Sequence, residues 1–464
     1  MAEAKQRAAQ FSRRAIIELG GLGALGVGLP ALLRSEASGA AASAPPKSCI
    51  FIYQYGGLSQ LDSWDMKPQG PETIRGPYKP IATRVPGFQI CELMPRLADL
   101  ADRFAIIRSM SHGVPVHDVA NRMLLAGQPL PPLDAPAFGS IVTKVRPTDA
   151  AMPGYVWLQK FGGGAMPPEQ TYLSGGRLGA AYSPLLIGTG HDDNPATPGY
   201  RVKALDVAGD LSLERTRARI SLNQLLNAEQ SALSTTPGAR NFARYQERAA
   251  EIITGTKARA AMDLERESAE TRDRYGRNPL GQNLLLARRL IEAGTRLVSV
   301  VAWTGLKPGE KFLSVETWDM HGNAGISIFA DGWNGLGFAL PRCDGAVAAL
   351  LQDLIDRGLL DSTLVVLAGE FGRTPRISKG GSAIGRDHWP NCYSVMLAGA
   401  GIRGGAVYGE SDHQAAYVKD KPVSLPDFTA TCLHALDISP ETRLSPDGFS
   451  LPASTGRPIA ELFG

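Results

Sequence analysis

The chain lacks a charge bias. Among its 464 residues, 48 Lys and Arg stand against 45 Asp and Glu, a formal net charge of +3. So small an excess argues against nucleic acid or an anionic membrane surface as a partner. Cysteine is scarce. Cys49, Cys91, Cys343, Cys392 and Cys432 show no Cys-x-x-Cys spacing, and their odd number gives no disulfide framework. They read as small buried apolar residues. A long unbroken apolar run is missing too. The mild run at 19–33 is interrupted by glycines and stops at Arg34 and Glu36, which argues against a permanent membrane span. Glycine (52) and proline (33), in contrast, exceed ordinary usage, so many connections are expected.

The first residues read as a targeting segment. Ser12-Arg13-Arg14-Ala15-Ile16-Ile17 is a twin-arginine signature, and small residues at 37–44 offer a cleavage region. The expected division is a signal segment over 1–44 and one α/β domain over 45–464. The expected location is periplasmic or secreted, with the twin-arginine export machinery as a partner.

The run 364–368, Leu-Val-Val-Leu-Ala, is short, rich in branched residues and closed by Gly369. A strand buried on both faces of a parallel sheet reads this way. The runs 49–55, 104–108, 155–158, 296–303 and 393–397 read similarly as strands. Apolar residues at helical spacing predict helices over 93–103, 119–125, 282–293, 340–357 and 425–436. Residues 129–200 are loop-rich. Between about 205 and 278 the composition turns charged and alanine-rich, which predicts a helical insertion. The fold class is therefore α/β, with a mostly parallel central sheet flanked by helices.

Ligand sites in such sheets lie on loops at the carboxyl ends of strands. Glu370 and Arg373 follow the 364–368 strand directly, and the next loop brings Arg386, Asp387 and His388. Acids, an imidazole and guanidinium groups so close together point to a metal, an oxyanion or both, or to a salt-bridged clamp between loops. Asp319 and His321 follow the 296–303 strand, and their spacing of two places both side chains on one side of an extended loop. Mixed carboxylate and imidazole ligands suit Zn, Mn or Fe. His112 and His117 lie between a strand and a helix, where a nucleophile or a ligand can sit. Gly56-Gly57 allows positive φ or a close backbone approach, with Asp62 and Asp65 just behind as a ligand or a turn cap. His191-Asp192-Asp193 reads as an exposed turn, and His413 and His434 as structural.

Six motifs then appear in one order: the twin-arginine leader, Gly-Gly-Leu-Ser-Gln-Leu-Asp-Ser-Trp-Asp at 56–65, Arg-Ser-Met-Ser-His-Gly at 108–113, Trp-Asp-Met-His-Gly-Asn at 318–323, Gly-Glu-Phe-Gly-Arg-Thr-Pro at 369–375 and Gly-Arg-Asp-His at 385–388. Together they resemble the exported bacterial family DUF1501, a domain of unknown function, which looks like a branch of the alkaline phosphatase and sulfatase superfamily. The resemblance implies a mostly parallel sheet between helices, with metals at the strand ends. It places Glu370 where sulfatases have a ligand Asp and Phe371 where they have a ligand His. His388 falls at a later metal histidine, and Asp319 and His321 resemble an earlier Asp and His pair. His117 falls at the nucleophile position, where no Cys, Ser or Thr stands.

The reading from the sequence is an exported, metal-dependent hydrolase of phosphate or sulfate esters. Its expected divalent metal is Zn, Mn, Ca or Mg, held by Asp319, His321, His388 and Asp387. His117 and Glu370 are its acid/base or nucleophilic groups, and Arg373 binds the anionic ester. The alternative is a non-catalytic extracytoplasmic binding or scaffold protein that retains the fold.

Overall fold

The computed structural model describes residues 47–149, 151–159, 173–188, 193–205, 214–215, 218–222, 246, 249–322, 325–379, 382–444 and 451–464. The expected signal segment, His191 and Asp192, and much of the expected helical insertion lie outside them.

Eight strands form the central sheet: β1 Ser48–Tyr53, β2 Phe104–Met110, β3 Tyr155–Leu158, β4 Leu185–Ile187, β5 Leu297–Val301, β6 Thr363–Ala368, β7 Tyr393–Ala398 and β8 Val407–Tyr408. Their order across the sheet is β8-β2-β7-β6-β1-β5-β3-β4. All run parallel except β7, which is antiparallel to both neighbours, β2 and β6.

The period of two in β1 explains why the sheet is apolar on both sides. Ile50 and Ile52 face one core, shared with Val298, Val300, Val365 and Leu367. Cys49, Phe51 and Tyr53 face the other, shared with Leu297, Val301, Leu364 and Val366. All five cysteines are buried and unpaired.

Helices among the described residues include α1 Pro95–Asp99, α2 His117–Ala126, α3 Phe138–Val145, α4 Thr256–Met262, α5 Ala269–Tyr275, α6 Pro279–Glu292, α7 Leu336–Asp356 and α8 Leu425–Ala435. Leucines of α6 and α7 cover the first face, and α2, α3 and α8 cover the second. Local chemistry sets their ends. Asn278 caps α6 by accepting the Gly281 N–H, and Pro279 occupies the first helical position, where it gives up no hydrogen bond. Gly127, at φ +67°, ends α2 in the left-handed region. Among the described residues, no helix is long and apolar enough to cross a membrane.

The direction of β7 positions the site. Loops leaving the parallel strands emerge at one rim. Because β7 is reversed, the segment that leads into it reaches that same rim. His388 is in that segment.

Candidate metal centre

Four exits, after β1, β2, β5 and β6, and one approach, into β7, build the site. After β1 the chain turns through Gly56 (φ +105°) and Gly57 (φ +85°). A Cβ on Gly56 would lie 2.2 Å from the Asp319 nitrogen, and one on Gly57 would lie 2.5 Å from the Phe371 carbonyl oxygen. The paired glycines thus let the loops after β1, β5 and β6 close on one another. The close approach expected there is backbone on backbone. A second closure joins 320–322 to 383–386: Arg386 N–H donates to the Met320 carbonyl at 3.0 Å, and a Cβ on Gly385 would meet the His321 carbonyl carbon at 2.0 Å. His388 lies opposite Arg373 in a two-residue antiparallel ribbon.

These closures bring His117, Asp319, His321 and His388 together, with one ligand atom from each within 4.8 Å of the others. Asp319 Oδ1 is the hub. It lies 3.2 Å from His117 Nε2, 2.9 Å from His321 Nε2 and 3.1 Å from His388 Nε2. Each imidazole turns Nδ1 outward to an acceptor. His117 Nδ1 is 2.6 Å from Glu370 Oε1, His321 Nδ1 is 2.8 Å from Asp387 Oδ1, and His388 Nδ1 is 2.8 Å from the Pro115 carbonyl. The Phe371 ring lies 5.0 Å from the His117 ring and 4.4 Å from the His388 ring, so it packs against two of the imidazoles.

The tautomers follow from these partners. A carbonyl only accepts, so His388 Nδ1 carries a proton, while its Nε2 faces Asp319 Oδ1. Burial lowers the His388 pKa, and Arg373 and His117 nearby add to this, although Asp319 opposes it. His321 Nε2 lies 2.8 Å from His388 Nε2. Two lone pairs at that distance repel unless a proton or a cation lies between them. His117 Nε2 is buried and makes no well-angled hydrogen bond with the described residues. This donor set fits a divalent cation. His117, Asp319, His321 and His388 would hold such a cation.

The charges agree with that fit. Burial alone would raise the Asp319 pKa, but the Arg373 guanidinium and the three histidines hold it well below the usual carboxylate range. Burial disfavours charge on His117, yet its contacts with Asp319 and Glu370 outweigh this and push its pKa up to about 9 in the metal-free protein.

Three further residues expected at the site lie outside the converging group. Arg373 is fully buried. Its guanidinium donates to the Gly57 carbonyl at 3.0 Å, the Arg386 carbonyl at 3.1 Å and Asp319 Oδ1 at 2.6 Å, and also to the Gly56 carbonyl. So enclosed, it clamps loops and presents no fork to an anion. Asp387 is not among the converging donors; it is half-exposed and sits behind His321. Glu370 is also outside the donor group and fully enclosed. It accepts from Gly56 N–H at 2.9 Å and from the Tyr53 hydroxyl at 3.2 Å, and it touches the cluster through His117.

The other candidates lie apart. Asp62 forms a buried ion pair with Arg386 at 2.7 Å, and Asp65 pairs with Lys67 at 2.9 Å. His112 Nε2 lies 2.6 Å from the Glu370 carbonyl and so supports the loop. Asp193 pairs with Lys203, and the His434 ring meets Phe463 edge-on, with centroids 4.7 Å apart. Sequence reasoning missed Tyr53, Asn121 and the Pro115 carbonyl. A tyrosine ending a strand buried on both faces was the one available signal, since its hydroxyl needs a partner. It donates to Asn121 and to Glu370.

Fold and site together define an α/β protein with three histidines and an aspartate, a group that could hold a cation, gathered at the rim of a mostly parallel sheet. The chain matches the family described as protein of unknown function (DUF1501) over residues 46–463 and belongs to that family. Among solved structures it is similar to the phosphonate monoester hydrolase SpPMH from Silicibacter pomeroyi, at 12% identity and a TM-score of 0.39, covering 90% of this chain and 76% of that one. It is also similar to the PsFucS1 sulfatase from Pseudoalteromonas sp., at 13% identity and a TM-score of 0.37, covering 96% and 76%. No match is found among curated proteins.

Proposed function

We propose that this protein is an exported hydrolase of phosphate or sulfate esters that works with one divalent cation held by His117, Asp319, His321 and His388. The observation that carries the proposal is the outward hydrogen bonding of Nδ1 on all three histidines, which leaves each Nε2 facing Asp319 Oδ1. Such outer partners fix ring orientation and raise ligand basicity. Three nitrogens and one oxygen suit Zn, Fe or Mn. Calcium and magnesium, included in the sequence reading, take oxygen ligands and fit this set poorly.

When bound, a divalent cation supplies Lewis acidity to an ester oxygen and acidifies water. The protein does the positioning. Glu370, Asp387 and the Pro115 carbonyl orient the three imidazoles. Arg373 keeps Asp319 anionic and ties it to the Gly56-Gly57 turn. Among the described residues this is the one group of donors close enough to hold an ion, so the reading is mononuclear. The twin-arginine signature supports passage through that export route to the periplasm or beyond.

A second reading is the non-catalytic binding or scaffold protein. One observation favours it: four protein donors complete a tetrahedral set, as in structural sites. Elemental analysis of the purified protein, with a screen of phosphate and sulfate monoesters, separates the two. The hydrolase reading expects one metal per chain and metal-dependent turnover that His388→Ala and Asp319→Ala both abolish. Bound metal without turnover on any ester establishes the scaffold instead. Absence of bindable metal in a folded protein removes the metal-site assignment and with it the hydrolase reading.

A further inference from the structure

Asp319, the hub of the proposed cation site, stands on a loop and not on a strand or helix. Its own loop holds it only locally. Thr317 N–H donates to the Val315 carbonyl at 2.8 Å, Asp319 N–H to the Glu316 carbonyl at 3.1 Å and Met320 N–H to the Trp318 carbonyl at 3.0 Å. Bonds of such short reach shape a turn without fixing where it sits.

Contacts from distant parts of the chain set the place. Asn334, just before α7, donates from its side-chain nitrogen to the Thr317 carbonyl at 2.8 Å and to the Glu316 carbonyl at 3.2 Å. A carbonyl accepts and never donates, so the amide nitrogen must face this pair. The Glu316 carbonyl is the one that also takes the Asp319 N–H, so the amide grips the turn that ends on the hub. Its base is firm: Leu336, two residues on, is fully buried, and its N–H donates to the Ile328 carbonyl at 2.8 Å. Asn334 itself is 1% exposed, and its side-chain oxygen has no hydrogen-bond partner among the described residues. A buried acceptor without a donor costs stability, and an apolar side chain of similar shape would avoid that cost. What the residue contributes is therefore its two donor hydrogens. A second tie comes from Glu316, whose carboxylate accepts from the Ser314 hydroxyl at 2.8 Å and from the Tyr55 hydroxyl. The Tyr55 ring stands edge-on to the His117 ring, with centroids 5.9 Å apart, so the same turn is linked to a second donor of the site.

We infer that Asn334 is a positioning residue of the cation site, fixing the 316–319 turn so that Asp319 Oδ1 meets the three imidazoles. The inference rests on the cation-site reading and holds for the hydrolase and the scaffold alike.

Cobalt(II) titrated into the chelator-treated full chain tests it, because the visible absorption of the bound ion reports coordination geometry as well as affinity. Asn334→Leu keeps the shape and removes both the donors and the orphaned acceptor, so it folds where Asn334→Ala might leave a damaging void. Gln282→Ala is the control. Gln282 is fully buried, and its amide nitrogen likewise spans two carbonyls, those of Arg272 at 2.8 Å and Gly276 at 2.9 Å, between α5 and α6, which supply none of the four donors. Both Asn334 variants are expected to weaken cobalt binding about tenfold or more and to alter the absorption. Gln282→Ala is expected to lower the melting temperature and leave both readings unchanged. Parent-like affinity and absorption in a folded Asn334 variant overturn the inference, and so does an equal loss in Gln282→Ala. A parent protein that binds no cobalt overturns the cation site itself and this inference with it, so the two failures are told apart.

Discussion

At the proposed cation site, proton and metal compete for His117, and the competition has a size. In the metal-free protein its pKa is about 9, so at pH 7 the imidazole is almost wholly protonated. A cation must displace that proton, which costs about 2.7 kcal/mol for two pKa units. Apparent affinity should therefore climb about tenfold per pH unit from 7 to 9 and then level, with about one proton released per metal at pH 7. Glu370→Gln separates the two jobs of the carboxylate. Gln can still accept the Nδ1–H and stay paired with Tyr53, so the fold holds, but the negative charge is lost. The His117 pKa falls, and the rise in affinity ends at a lower pH. Above pH 9, where proton competition has ended, affinity should drop about ten- to hundredfold, as for other outer partners of metal histidines. A chromophoric chelator titrated across pH, with calorimetry in buffers of different ionisation heat, measures both. Flat affinity between pH 7 and 9 in the parent protein, or an unaltered profile in Glu370→Gln, would refute this account.

Three further outcomes are expected. Gly56→Ala places a Cβ 2.2 Å from the Asp319 nitrogen at a φ of +105°; it should displace Asp319 and reduce bound metal, read by elemental analysis of whatever soluble protein remains. Asp62→Ala strands the fully buried Arg386 and should cost about 3–5 kcal/mol in chemical denaturation; a loss under 1 kcal/mol would mean the pair is not dry. Asp344 is pushed up to about 6, mainly by burial. A carboxyl raised in the folded state binds its proton more tightly there, so this group favours the fold at acidic pH and the contribution is lost as pH rises from about 4 to 6. Denaturation of the parent protein against Asp344→Asn should differ in slope across that window by about 3 kcal/mol in total, and parallel curves would contradict it.

The sheet interior was legible because its code is local. Residues 364–368, 49–55 and 393–397 were marked by branched apolar runs, and strands stand at Thr363–Ala368, Ser48–Tyr53 and Tyr393–Ala398. The three-residue β4 was not seen, being too short for a pattern. The reversal of β7 was not legible either, since pairing direction depends on distant partners. The helix expected over 340–357 begins earlier, at Leu336, with Pro341 inside it. At the site, residue types and spacing marked Asp319, His321 and His388. They did not say whether His117 is a ligand or a nucleophile, because that depends on which ring nitrogen Glu370 engages. Nor can composition reveal that a guanidinium is consumed by carbonyls, as happens to Arg373.

The reversed strand also constrains the order of assembly during synthesis. His117, Asp319 and His321 emerge first, and the last imidazole belongs to the segment that pairs only after β2 and β6 are already in place. Until that late insertion the proposed cation site lacks one of its four donors, so loading should follow maturation of the sheet and not nucleate it. Ribosome-bound chains truncated before residue 388 should take up little zinc.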